Sequence, residues 1–271
     1  MNNLNNEKIS FGIGRAIFLT ILAVFAMQIV GGIIQFPTFY YPVLTHFLLP
    51  FGFFVGICAS IGLLLGMVKT NSIPIIKDLK SPVSFIEIIL AVLIWIGFLP
   101  LCEYFTTLIP TTGVLEELYH DFEQNFSIML DYKIAGFITV CVLAPIFEEI
   151  LFRGIILKGM LNHKVSPVFA IMISGLIFGL AHLNPWQFVG AGLLGAIFGY
   201  VYYRTKSLIL PIILHACNNI LSYSVMMQSN TMEEQIFDTS DFINIGIFTS
   251  FAFILCIILY YITKKKQTQW N

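Results

Sequence analysis

The chain has 271 residues, of which 58% are hydrophobic and 11% charged, and its formal net charge is -1. A mean hydropathy of +0.87 excludes an ordinary soluble globular domain, and the balanced charge offers nothing to attract nucleic acid. The composition is that of an all-α polytopic membrane protein, with a single membrane domain over residues 1–271 in contact with the lipid bilayer.

Apolar runs read against polar punctuation predict eight transmembrane helices, at about 16–36, 46–68, 84–108, 134–157, 167–184, 187–203, 208–228 and 242–263. The first run, Ala16 to Phe36, is too long for a signal-peptide core and lacks a small-residue cleavage site, so it is predicted to stay as a membrane helix. With eight spans, Lys8 and Arg15, then Lys69, Lys77 and Lys80, then Lys158 and Lys164, then Arg204 and Lys206, then Lys264 to Lys266 all fall on one side. Lys133 alone falls on the other, with acidic loops that hold Glu116, Glu117, Asp121, Glu123 and Asp131, and Glu233, Glu234, Asp238 and Asp241. The positive-inside rule therefore predicts a multi-pass cell-membrane protein with both termini cytoplasmic.

Smaller features follow the same order. Ile73 to Lys80 mixes bulky aliphatics with lysines and predicts a short interfacial helix. Glu87 and Glu103 sit near the ends of the third span, where interfacial exposure accounts for them. In the stretch from Pro110 to Tyr132, Leu115 to Phe122 has apolar positions at helical spacing. It reads as a solvated connector, the alternative being a helix that covers a cavity mouth. The five cysteines all fall in apolar spans with no CxxC, as small core residues rather than ligands. His46, His120 and His163 lie at span ends or in loops and need no functional role.

The exceptional stretch is Ala144-Pro145-Ile146-Phe147-Glu148-Glu149-Ile150-Leu151-Phe152-Arg153-Gly154, inside the apolar run from Ile134 to Leu157. Each such charge costs roughly 2.5 to 3.5 kcal/mol at the centre of a membrane helix on insertion scales. Glu149 and Arg153, four apart on a helix, can pair and offset part of that cost. Glu148 is rotated about 100° away and can face a polar cavity. Pro145 removes a backbone donor, which frees the carbonyl of Cys141 and allows a kink. A structural ion pair explains Glu149 and Arg153 but leaves Glu148 unexplained.

Two later spans carry further polar groups: His182 in Phe178-Gly179-Leu180-Ala181-His182, and His215 with Asn219 four residues on. At 1.5 Å per residue, Glu148 lies about 15 Å from the basic face, His215 about 10 Å and His182 about 21 Å. All three fall within the apolar layer. A carboxylate, two imidazoles and an amide are the groups needed to hydrolyse a peptide bond. Glu148 could take a proton from water, His182 could orient that water or bind a metal, and His215 and Asn219 could donate to the oxyanion. With zinc instead, Glu149, His182 and His215 make a three-ligand set with an open position. There is no HExxH motif, so spacing does not choose between these schemes.

Three motifs in order, Glu148-Glu149-Ile150-Leu151-Phe152-Arg153, Phe178 to His182 and His215 to Asn219, resemble the EExxxR, FxxxH and HxxxN patterns of the CPBP (CAAX protease and bacteriocin-processing, or Abi) intramembrane proteases. The resemblance covers about residues 134–225. It implies an intramembrane endopeptidase, possible metalloprotease, with Glu148, Glu149, His182, His215 and Asn219 as active positions and Arg153 as structural support for Glu149. The substrates implied are CAAX-like, bacteriocin, pheromone or membrane-anchored peptides. A non-catalytic membrane immunity or scaffold protein that keeps the polar cluster for structure is the alternative.

Overall fold

The computed structural model describes residues 9–68, 75–229 and 235–266. Lys8, Lys69, Ile73, Pro74, Glu233 and Glu234 lie outside them. The described residues form an all-helical bundle: α1 (Ile13–Gln35), α2 (Thr45–Met67), α3 (Ile75–Leu79), α4 (Phe85–Thr107), α5 (Glu116–Asp131), α6 (Lys133–Asn162), α7 (Pro167–Leu180), α8 (Pro185–Thr205), α9 (Ile209–Ser229) and α10 (Phe242–Ile262). Six of these, α1, α2, α4, α6, α9 and α10, are long and apolar enough to cross a membrane. Length and hydropathy thus bear out six of the eight expected spans among the described residues. The predicted fifth is the shorter helix α7, which ends at Leu180, and the sixth falls on α8.

Helix α6 is the axis of the bundle. Every residue from Leu151 to Leu157 is buried, and a helix apolar all round belongs in the centre of a bundle. By contrast α1, α2 and α10 leave Ile29, Ile33, Phe47, Phe51, Ile243 and Phe253 exposed, as lipid-facing helices do. Lipid supplies no hydrophobic drive between helices, so close approach of small residues holds them together. A Cβ on Gly56 would lie 2.7 Å from the Met27 carbonyl oxygen, and beside it Ser60 donates to the Ala23 carbonyl at 2.6 Å. The same device joins α7 to α8. A Cβ on Gly175 would lie 2.7 Å from the Gly192 carbonyl, and one on Gly179 only 2.4 Å from the Phe188 carbonyl.

The basic residues gather at one end of the bundle. Asp78 on α3 accepts from Lys158 at 2.5 Å and Tyr202 at 2.7 Å, while its carbonyl accepts from the Leu208 N–H. Arg204 is buried against Thr263 and the Tyr260 carbonyl. Lys266 pairs with Glu87 at 2.7 Å. Glu87 is therefore not explained by exposure: it is 2% exposed and closes a capping box with Ser84 at the start of α4. At the opposite end Glu103 accepts from the N–H groups of Ile236 and Phe237. The five cysteines are free thiols.

Contact between α7 and α8 predicts the effect of adding one methyl group. Gly179→Ala should lower stability by about 1 to 3 kcal/mol, the usual cost of overpacking, because the obstructing atom is backbone. Gly62→Ala, with nothing within 4 Å of its Cβ position, should leave the melting temperature in detergent unchanged or slightly raised. Equal behaviour of the two variants would refute close packing at Gly179.

Candidate active site

Glu149 and Arg153 lie inside the central helix and are both fully buried. Arg153 Nη1 donates to Glu149 Oε1 at 2.7 Å, and Nη2 donates to the Gly195 carbonyl at 2.8 Å. The guanidinium also lies over the Phe178 ring, 4.5 Å from its centroid. Gly195 permits this approach, since a Cβ there would be 2.9 Å from Phe178 and 3.2 Å from Arg153 Nη2. Glu149 Oε2 and Arg153 Nε are buried with no hydrogen-bond partner among the described residues. One oxygen therefore carries the contacts of this carboxylate.

That same oxygen reaches the site. His215 Nδ1 lies 3.1 Å from Glu149 Oε1, and a carboxylate can only accept here, so Nδ1 carries the proton. The other ring nitrogen, Nε2, lies 4.0 Å from Glu148 Oε2. This is too long for a direct hydrogen bond and is a separation that one water can bridge. Glu148, Phe178, His182, His215, Asn218 and Asn219 share the wall of one cavity of about 1640 Å³, whereas Glu149 and Arg153 lie behind it. The two adjacent glutamates are thus separated by their helix positions into a cavity group and a buried support.

His182 reaches the same cavity by a different route. It follows the end of α7, and its Nδ1 donates back to the Phe178 carbonyl at 3.0 Å, which leaves Nε2 as the acceptor of the neutral ring. Leu183, next in the chain, has φ 59°, a left-handed conformation costly for a leucine. Asn184 then caps α8 by accepting from the Gln187 N–H. The Phe178 ring joins the parts, with centroids 5.1 Å from His182 and 5.7 Å from His215. The 11 Å depth difference read between the two histidines did not allow for this turn.

Pro145 and Asn219 turn out to be linked. In the π-helical turns over Ile138–Leu143, the Ala144 N–H donates to the Thr139 carbonyl. The next carbonyl, that of Val140, is aligned with Pro145, which has no N–H to give. Asn219 Nδ2 donates to it instead, at 2.8 Å. Sequence reasoning placed the vacancy at Cys141 because it assumed an α register. It also missed Gly195, Phe198, Asn218 and Trp95, whose indole N–H donates to Asn218 Oδ1 at 3.3 Å. Only the small-residue pattern around Gly195 carried any signal.

Similarity to other proteins bears on the same stretch. Residues 131–221 match the family described as type II CAAX prenyl endopeptidase, Rce1-like. The chain is 36% identical over 102 residues to YdiL of Bacillus subtilis (strain 168), carried under the name of a membrane peptidase, over 36% of this chain and 41% of that protein. It is 38% identical over 101 residues to the membrane-embedded CAAX protease MroQ of Staphylococcus aureus (strain USA300), over 34% of this chain and 40% of that one. The matched stretch spans about two fifths of each relative. No solved structure matches the chain. Glu148, Glu149, Arg153, His182, His215 and Asn219 all lie within the matched residues.

A bound metal would require several side-chain donors to converge on one point. Glu149 Oε2 is a donor left over, but among the described residues no three His, Cys, Asp or Glu side chains converge as a metal-ligand set. Arg153 already holds a positive charge on the Glu149 carboxylate. As placed, Glu149, His182 and His215 do not converge as the three-ligand set of a catalytic zinc site.

The pair at Glu149 predicts a stability effect distinct from chemistry. Glu149→Gln leaves Arg153 buried without its counter-charge and should cost roughly 3 to 5 kcal/mol. Glu149→Gln/Arg153→Met removes both charges and should recover part of that loss, though not all, because the Gly195 carbonyl also loses its donor. Thermal unfolding of both variants in one detergent decides it. A double variant no more stable than Glu149→Gln would show that the charge pair is not what stabilises this helix.

Proposed function

We propose that this protein is an intramembrane endopeptidase in which Glu148 activates water. The observation that carries the reading is that Glu148 faces the cavity beside His215, whose other nitrogen is engaged by the buried Glu149. The names of the relatives and of the matched family support the same class.

In this reading a water lies between Glu148 and His215 Nε2 and donates one hydrogen to each, with His182 Nε2 on the same cavity wall. Water oxygen attacks the carbonyl carbon of the scissile bond, and Glu148 takes the proton. The remaining amide hydrogen of Asn219 faces the oxyanion, whereas His215, with its proton on Nδ1 toward Glu149, has none to offer there. The carbon–nitrogen bond then breaks as the Glu148 carboxylic acid returns its proton to the leaving nitrogen, so that water is added across the bond. Glu149 and Arg153 act through His215, whose ring orientation and proton position they set. A divalent metal, if bound, would polarise the carbonyl, and Glu149, His182 and His215 would have to rearrange to hold it.

Glu148→Gln keeps shape and hydrogen bonding but removes the base. Peptide hydrolysis by the purified protein should fall at least about a hundredfold with the melting temperature unchanged. Full activity in the variant would remove Glu148 as the base, and no hydrolysis by the native protein would favour the immunity or scaffold reading. Metal content, chelation and zinc readdition on the same preparation separate the water-only route from the metal route, because recovery on zinc requires the rearranged ligand set.

We also propose that the basic end of the bundle faces the cytoplasm, on the strength of the lysine asymmetry. A thiol reagent that cannot cross membranes, added to intact cells, should label Glu117→Cys and spare Lys264→Cys. The reverse pattern would invert the orientation.

A further inference from the structure

Among the described residues, the lining of the active-site cavity lies toward one end of the bundle. By their order along the helices, its other lining residues lie on the acid-rich side of Phe53, Leu99, Glu148, Phe178, Phe198 and His215. The basic end is closed by packing: Ile75 on α3 presses on Gly154, within 3.3 Å of its Cβ position, and Asp78 ties α3 to Lys158, Tyr202 and the Leu208 N–H. At the acid-rich end α5 lies across the cavity. Tyr119 and Phe122 pack on Trp186 of α8 with centroids at 4.9 and 5.7 Å. The stretch expected as a solvated connector is therefore an amphipathic cover whose apolar side faces the cavity.

The charge of this wall is one-signed. Among the described residues it includes Glu103, Asp121 and Glu148 but no lysine or arginine, and the only other groups that could carry charge near neutral pH are the His182 and His215 imidazoles at its floor. A terminal carboxylate is normally captured by a cation or a nest of backbone N–H groups. Nothing on this wall supplies the cation, and three carboxylates oppose a fourth.

We propose that the substrate is a peptide segment entering from the acid-rich face, neutral or positively charged around the scissile bond, with its free C-terminus outside the cavity. This rests on the hydrolase reading above and narrows it. Cleavage is internal, and recognition of an acidic tail is disfavoured by the wall itself. A cleft lined by one sign of charge concentrates ligands of the opposite sign, raising association by about tenfold or more at low salt, and the advantage fades as salt screens it.

The test uses the full chain in detergent with quenched fluorescent peptides that share one apolar centre and carry Lys, Gln or Glu on both flanks, each as free acid and as C-terminal amide. The Lys peptide should exceed the Glu peptide by at least about tenfold in kcat/KM, chiefly through KM. The gap should narrow with added salt and in Asp121→Asn, and amide and acid forms should be cleaved alike. A preference for Glu flanks, or dependence on the free carboxylate, would overturn the proposal. Entry is read separately. A bulky polyethylene-glycol maleimide on Glu117→Cys should slow turnover and the same reagent on Lys264→Cys should not, with the treated native protein as baseline; the opposite result overturns the route. Finally, a photoreactive Lys-flanked peptide should cross-link to α5 in the Glu148→Gln protein. Cross-linking there without cleavage by the native protein would leave the route standing and remove the hydrolase reading, whereas cross-linking to the basic end would remove the route.

Discussion

A carboxylate and a guanidinium buried in the central helix of a membrane bundle constrain everything around them. Neither Glu149 nor Arg153 reaches solvent, so each must be satisfied by protein alone, and the cost of failing is several kcal/mol. The satisfaction comes from three other helices. Gly195 on α8 offers its carbonyl, Phe178 on α7 offers a ring face, and His215 on α9 offers an N–H. The ion pair is thus the point through which α6 fixes the positions of its neighbours, and the site is assembled as a consequence.

The packing that allows this is made of absences. Arg153 reaches the Gly195 carbonyl because no side chain stands at Gly195, and α7 lies against α8 because Gly175 and Gly179 have none. Phe178 fills the space that the glycines leave, touching Arg153, His182 and His215 together. In water such a cluster would be held by the hydrophobic effect. In lipid, shape and hydrogen bonding must do it, which explains why glycines surround the polar core.

Adjacent positions on α6 have taken opposite environments. Glu149 is turned into protein and Glu148 into the cavity, through one residue's rotation of the helix. The π-helical turns before them and the Asn219 amide that fills the gap at Pro145 set the angle from which Glu148 faces that cavity. Asn219 therefore has a backbone to support as well as a place on the wall. The cavity lining lies toward the acid-rich end, with α5 packed across it on Trp186.

Much of this was legible in the residues. The hydropathy made the chain a helical membrane protein, the i, i+4 spacing paired Glu149 with Arg153, and the 100° step released Glu148 toward a cavity, because helix periodicity is a property of local sequence. Other features depended on which helix faces which, and local sequence carries no such information. The Val140 vacancy arose from a π register, Glu87 was buried because Lys266 folds back over it, and the stretch from Glu116 to Asp131 became a cover because Trp186 was there to receive it. His182 met His215 through the turn at Leu183, which no count of residues along separate spans could supply. The sequence by itself determined the class of fold and the polar residues that demanded partners. Which partners they found, and toward which end the cavity lies, only the tertiary structure decided, since burial and hydrogen bonding between distant segments exist only once the helices are packed.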